Sequence, residues 1–250
     1  MGSLSTSMVA FVIIFGGAAV GMLLRRVLPD HHLRDDSRDV IKLATGLVGT
    51  MAALVLGLLV ASAKGFYDAQ TTELTQMSAN IVFLDRGLAR YGPETKDARD
   101  ELRVVVAGII QQLWSKDAGI SRLEPTSVGG SALYEKIDAL APTDDLHRSI
   151  RSQSLNMAIS IGQTRWLMYE QGALTVSKPM LVIMIFWLTV TFIIWGVLSP
   201  ANPTIIVTML VAALSVSGAI LLVLEMYSPY EGIIRVSDAP LRVALAHLGH

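Results

Sequence analysis

Gly46, Thr50, Ala53, Gly57 and Ala61 recur at intervals of 4, 3, 4 and 4, so on a helix they share one face. All five are small. Two kinds of chemistry use such a face. Small residues let helices in a membrane approach backbone to backbone. Around a symmetry axis they also leave room for water and ions, and so form the wall of a pore. The two readings are compatible, because copies packed about an axis would line it with this helix. The opposite face carries Val48, Val55 and Leu59, which suit lipid or neighbouring helices.

Other chemistry is sparse. The five histidines are His31, His32, His147, His247 and His250. His31 and His32 fall in a charged loop and read as solvated, while His247 and His250 sit near a chain end read as frayed. The pairs Asp35-Asp36 and Asp144-Asp145 read as a solvated turn or a helix start, where carboxylates complement the helix dipole. Met1-Gly2 with Thr6 fits a myristoylation pattern, read as chance in a chain that opens with an apolar helix. There is no GxxxxGK[ST], HExxH or GxSxG, and no Cys, which excludes a disulfide framework and Cys-ligated metals. No catalytic residue, metal site or cofactor is expected, so an enzyme is not expected. A lipid-modifying enzyme would have to rest on Asp35, Asp36, His31 and His32. The net charge of −1 argues against a nucleic-acid partner, which calls for a basic excess.

The elements that position the small-residue face follow from where charge is missing. Of 250 residues, 52% are hydrophobic and 16% charged, against about 25% charged in a soluble domain. Residues 1–24, 43–63 and 179–224 contain no Asp, Glu, Lys or Arg. A span needs about 20 mostly apolar residues. The first runs over 8–24 and stops at Arg25-Arg26. It is read as a retained helix, because a signal peptide would carry its charge at the start. The second is 43–63. The last stretch is too long for one helix and breaks at Ser199-Pro200-Ala201-Asn202-Pro203, a turn-forming cluster, giving spans at 179–198 and 204–224. The fold class is therefore all-α: a polytopic membrane protein with four transmembrane helices and a helical-bundle extramembrane insert. Its parts are 1–64, the insert 65–177, 178–226 and a C-terminal segment 227–250. No ionisable residue lies within these span limits, which argues against a proton relay or buried charged substrate site.

Within the insert, Leu74, Met77, Ile81, Leu84, Leu88 and Tyr91 step by 3, 4, 3, 4 and 3, the a/d spacing of a coiled-coil-like helix. No Pro interrupts 42–92, so the second span is expected to run on as one helix from about 40 to 90, roughly 75 Å long, reaching out of the membrane. Gly92-Pro93 ends it. A helix over 94–116 follows with the stripe Ala98, Leu102, Val105, Ile109 and Leu113. Residues 126–130 read as a loop and 132–140 as a short helix. Thr143 is the expected N-cap of a helix over 144–171 that carries Ile150, Met157, Ile161 and Met168.

The segment LGLLVASAKGFYDAQTTELTQMSAN, residues 56–80, resembles bestrophins, in which the second span passes directly into a long helix. Phe66-Tyr67-Asp68 sits at the matching point. The stretch Tyr230-Glu231-Gly232-Ile233-Ile234-Arg235-Val236-Ser237 with Ala239-Pro240-Leu241 is similar to the closing motif of the bacterial bestrophin-like domain family. The resemblance implies a homo-oligomeric ion channel, a pentamer, with lipid bilayer and inorganic ions as partners and anions ahead of cations. It implies a pore lined by Gly46, Thr50, Ala53, Gly57 and Ala61, with Phe66, Tyr67 and Asp68 at its mouth. The sequence departs from bestrophins where their pore is narrowed by bulky apolar residues, since Ala53, Gly57 and Ala61 stand there. The acidic calcium clasp of the animal channels has no counterpart near Glu225, which stands isolated.

Orientation is not fixed by basic residues near span ends. Arg25, Arg26, Arg34, Arg38 and Lys42 on one side balance Lys64, Arg165, Lys178, Arg235 and Arg242 on the other. The resemblance implies a bacterial inner membrane with termini and insert in the cytoplasm. A second reading remains open: a non-conducting scaffold or sensor whose insert binds a partner and whose small-residue face merely packs spans together.

Overall fold

Charge marks the helix ends, and apolar periodicity decides which face each helix buries. The computed structural model describes residues 2–29, 35–114, 130–172 and 177–249. Among them all regular structure is helical: α1 Ser3–Arg25, α2 Asp35–Tyr91, a 3-10 turn Pro93–Thr95, α3 Lys96–Trp114, α4 Gly130–Asp138, α5 Asp145–Gly172, α6 Lys178–Leu198, α7 Pro203–Met226 and α8 Ala239–His247. Four of these, α1, α2, α6 and α7, are long and apolar enough to cross a membrane. The second expected span and the heptad helix are one unbroken helix of 57 residues. His31, His32, His250 and most of the expected 126–130 loop lie outside the described residues.

The chain divides into two units. One holds 1–65 and 175–227, the other 66–174 and 228–250. The C-terminal segment is thus grouped with the insert.

In the first unit α1 packs on α6 and α7. Ala10, Ile14 and Ala18 of α1 meet Met184 and Phe192 of α6 and Met209, Ala213, Ile220 and Val223 of α7 in one core. Leu59 and Ala63 of α2 join it. The α1–α6 contact is made by glycine. A Cβ on Gly21 would lie 2.0 Å from the Ile193 carbonyl oxygen, and one on Gly196 would lie 2.3 Å from that of Ala18. Gly17 and Gly21 are a small-xxx-small pair, so this close helix crossing uses a motif on the first span. Asn202 caps α7, its side chain accepting from the Ile205 N–H at 2.9 Å. Pro203 follows at the first helical position, where its missing N–H costs nothing.

In the second unit the heptad residues are the core: Leu74, Met77, Ile81, Leu84 and Leu88 are fully buried beside Ala98, Leu102, Val105, Ile109 and Leu113 of α3. Gly92, at φ +138, ends α2 in a conformation that disfavours a side chain. The Thr95 hydroxyl then donates back to the Leu88 carbonyl at 2.7 Å. Asp144, not Thr143, caps α5: its carboxylate accepts from the His147 N–H at 2.8 Å, the N3 contact expected of a cap. The same carboxylate holds His147 Nδ1 at 2.7 Å, and His147 Nε2 lies 3.0 Å from the Tyr91 carbonyl.

The chain end is ordered into α8 rather than frayed. Leu241, Ala244 and Leu248 are buried in the same core, and His247 Nδ1 contacts the Val243 carbonyl at 2.7 Å. Pro240 sits in its first turn.

Candidate functional site

The first half of α2 shows three strips. Thr45, Ala52, Leu59 and Ala63 are buried, and Val55 packs against the same core. Leu59 and Val55 thus face the chain's own helices, together with the small Thr45, Ala52 and Ala63. Gly46, Thr50, Ala53, Gly57 and Ala61 are all exposed. A Cβ added at Gly46, Gly49 or Gly57 would meet nothing within 4 Å. The two glycines of the strip therefore do not pack against this chain's other spans. The one hydroxyl on it, of Thr50, donates to the Gly46 carbonyl at 2.9 Å, leaving the strip with an uncharged, nearly apolar surface. Beside it run Leu43, Leu47, Met51, Leu54 and Leu58, also exposed. Gly46, Thr50 and Ala53 of the strip line an open groove of about 470 Å³ with Thr45 and Gly49, which Trp195 and Leu198 of α6 wall on the other side.

The span ends carry polar contacts that spacing could not show. Glu225, isolated in the sequence, lies in the last turn of α7 and is buried, 3% exposed. The Ser3 hydroxyl donates to its carboxylate. An ionisable group is thus present at the end of a spanning helix, one residue past the expected limit of 224. The Ser62 and Tyr227 hydroxyls share a hydrogen bond of 2.9 Å.

In the second unit, Phe66 and Tyr67 are half-buried and Asp68 is exposed. The Tyr67 hydroxyl donates to the Arg235 carbonyl at 3.2 Å, which turns this ring toward the C-terminal segment. One turn on begins a buried polar chain. The Tyr230 hydroxyl donates to Gln70 Oε1 at 2.9 Å. Gln70 Nε2 donates to Gln171 Oε1 at 2.9 Å, and Gln171 Nε2 donates to Glu73 Oε1 at 2.7 Å. Gln70 is completely buried. The second Glu73 oxygen is buried without a hydrogen-bond partner among the described residues. Burial raises the Glu73 carboxyl above its usual range, opposed by the Gln171 hydrogen bond. Burial and the nearby Glu73 charge raise the Tyr230 phenol well above its ordinary value, so it serves as a neutral donor. Trp114 stands edge-on to Tyr230 at 5.5 Å, and its Nε1 donates to the Val236 carbonyl at 3.0 Å. The closing motif of the sequence is thus a clasp on α2 and α3, joined to Gln171 of α5 through Gln70. No spacing rule links residue 70 to 171 or 230, so these partners were not legible beforehand.

Arg165 of α5 is buried, with its guanidinium donating to Gln112 at 3.0 Å. Burial draws it below the usual arginine value. Among the described residues no group of three or more His, Asp or Glu side chains is placed to hold a metal ion.

No curated protein and no solved structure matches the sequence. A family model for the bestrophin-like domain matches residues 12–241, from within the first span to the buried start of α8, and so takes in both the exposed strip of α2 and the Tyr230 clasp. The chain belongs to the bestrophin-like domain family.

Proposed function

We propose that the chain is the protomer of a homo-oligomeric, passively conducting ion channel in a bacterial inner membrane, its pore wall formed by Gly46, Thr50, Ala53, Gly57 and Ala61 of α2. Phe66, Tyr67 and Asp68 stand at the mouth. Anions are the first-choice permeant class, and the subunit number is five, both by analogy with bestrophins; no catalytic step is involved. The observation that supports this reading is the exposure of the small-residue strip. Within a lone copy the glycines of the strip have no packing partner and hence no use for their small size. Copies arranged about an axis do have one, because the small face leaves an open lumen. The adjacent leucine strip is then the flank that a neighbouring copy covers.

Gly57→Trp tests this. A ring of indoles at one level makes a hydrophobic constriction and should lower single-channel conductance roughly tenfold or more. Currents in planar bilayers under a KCl gradient should reverse near the chloride potential. Unchanged conductance would remove α2 from the pore wall, and reversal near the potassium potential would change the ion while keeping the channel. A clean oligomer without current under any condition would favour the scaffold reading.

A further inference from the structure

The second unit carries two exposed strips near the turn that joins α2 to α3, and neither is ion-paired among the described residues. On α2, Phe83 is 56% exposed, and Arg86 and Arg90 follow on the same side, exposed. Neither arginine has an ion-pair partner among the described residues. Beside them an open groove of about 230 Å³ lies between α2 and α5, walled by Ile150 and Met157. On α3, Asp97 and Asp100 are exposed and form no ion pair among the described residues, whereas the neighbouring Glu101 is taken by Lys136 at 2.6 Å. Val104, one turn on, is 65% exposed.

The two strips lie at the same height. Asp85 of α2 holds Arg99 of α3 through two hydrogen bonds, at 2.8 and 3.0 Å. That pair sets residues 85 and 99 side by side in the antiparallel hairpin. Arg86 is therefore level with Asp100 to within about one helical turn. Rotation about an axis parallel to the hairpin preserves height, so in a cyclic ring the basic strip of one copy meets the acidic strip of the next. Such a head-to-tail contact joins two different surfaces and closes when the rotation does.

We propose that this is how the helical units join in the oligomer: Phe83, Arg86 and Arg90 of one copy dock on Asp97, Asp100 and Val104 of the next. The occupant of the groove beside Arg86 is the next copy's α3, with Val104 against the Phe83 end of the groove. Opposite charges across the contact fix its register and exclude the same-strip pairing, in which arginine would face arginine. The inference rests on the homo-oligomer proposed above.

The absence of native cysteine makes the test clean. The full chain carrying Phe83→Cys and Val104→Cys is treated in membranes with a short bis-maleimide, while its native mass is measured separately. The expected result is a covalent ladder that ends at the subunit number, with either single variant giving none. Arg86→Glu with Arg90→Glu should lower the ladder yield about tenfold, since like charges then face each other. Adding Asp97→Arg and Asp100→Arg to that chain should restore it. A defined oligomer with no ladder, or a ladder indifferent to charge reversal, overturns this contact and leaves the channel reading standing. A monomer by native mass overturns both.

Discussion

Gly21→Ala is the smallest change with the largest expected effect on the membrane unit. The added methyl carbon would lie 2.0 Å from the Ile193 carbonyl oxygen and 2.9 Å from its carbon. Ordinary contact between such atoms begins near 3.3 Å, so α1 and α6 must separate by about 1.3 Å along that line. The obstacle is backbone, which cannot swing away as a side-chain tip would. Separation loosens the packing around Ala18, where Gly196 approaches the carbonyl oxygen just as closely. Overpacking of this kind costs about 2–3 kcal/mol, roughly 30- to 150-fold in the unfolding equilibrium. Gly57→Ala is the internal control. Its methyl would meet nothing within 4 Å, and alanine is the better helix former by about 1 kcal/mol. The assay is reversible unfolding of the purified protein in mixed micelles with increasing SDS, followed by circular dichroism. Gly21→Ala should unfold well before the parent, and Gly57→Ala at or after it. If Gly21→Ala unfolds no earlier than Gly57→Ala, the α1–α6 crossing is not the close contact described.

Two further predictions concern the helical unit. Asp85 is 3% exposed, pairs with Arg99 and accepts from the Gly249 N–H at 3.3 Å, so Asp85→Ala should cost about 3 kcal/mol, the value for leaving a largely buried partner uncompensated. Limited proteolysis should then cut near α8 first, and an unchanged cleavage pattern would show that the clamp does not hold it. Glu73→Gln should change the pH profile of stability rather than its acid limit. The folded Glu73 pKa is raised by burial, so at acid pH both states are protonated and nothing is lost. As pH rises from the ordinary glutamate value through the folded one, the unfolded chain releases its proton more readily and stability falls. The variant should match the parent at acid pH and exceed it at neutral pH in urea melts; parallel profiles would contradict the shift.

What the sequence makes legible is what lies on one helix. The charge-free stretches locate the spans because a charge inside lipid is expensive whatever its neighbours. The 3-4 stepping of Leu74 to Tyr91 marks the buried face of α2 because a single helix sets that periodicity. The same holds for Ala98 to Leu113 on α3. What joins distant parts of the chain is not legible. Gly17, Gly21 and Gly196 look like any span glycines until the backbones they admit are known. The Tyr230 to Gln70 to Gln171 to Glu73 chain links residues 160 and 101 positions apart, and neither an apolar period nor a motif encodes such a distance. Helix α8 left a signal that was available: Pro240 in a first turn, with Leu241, Ala244, Leu245 and Leu248 at helical spacing. The N-cap of α5 falls one residue late because Thr143 and Asp144 are both good caps, and the His147 ring selects the carboxylate.

The central claim is that the exposed strip of α2 faces water in the assembled protein. Cysteine scanning across α2 tests it most directly, since the parent chain has no thiol. Each of Gly46, Thr50, Ala53, Gly57 and Ala61 is replaced by Cys, as are the buried Thr45, Ala52, Leu59 and Ala63. A small charged methanethiosulfonate is added while current is recorded in planar bilayers. The account predicts block at the five strip positions and none at the four buried ones. Block at the buried set with the strip silent, or no current from any chain, would contradict it.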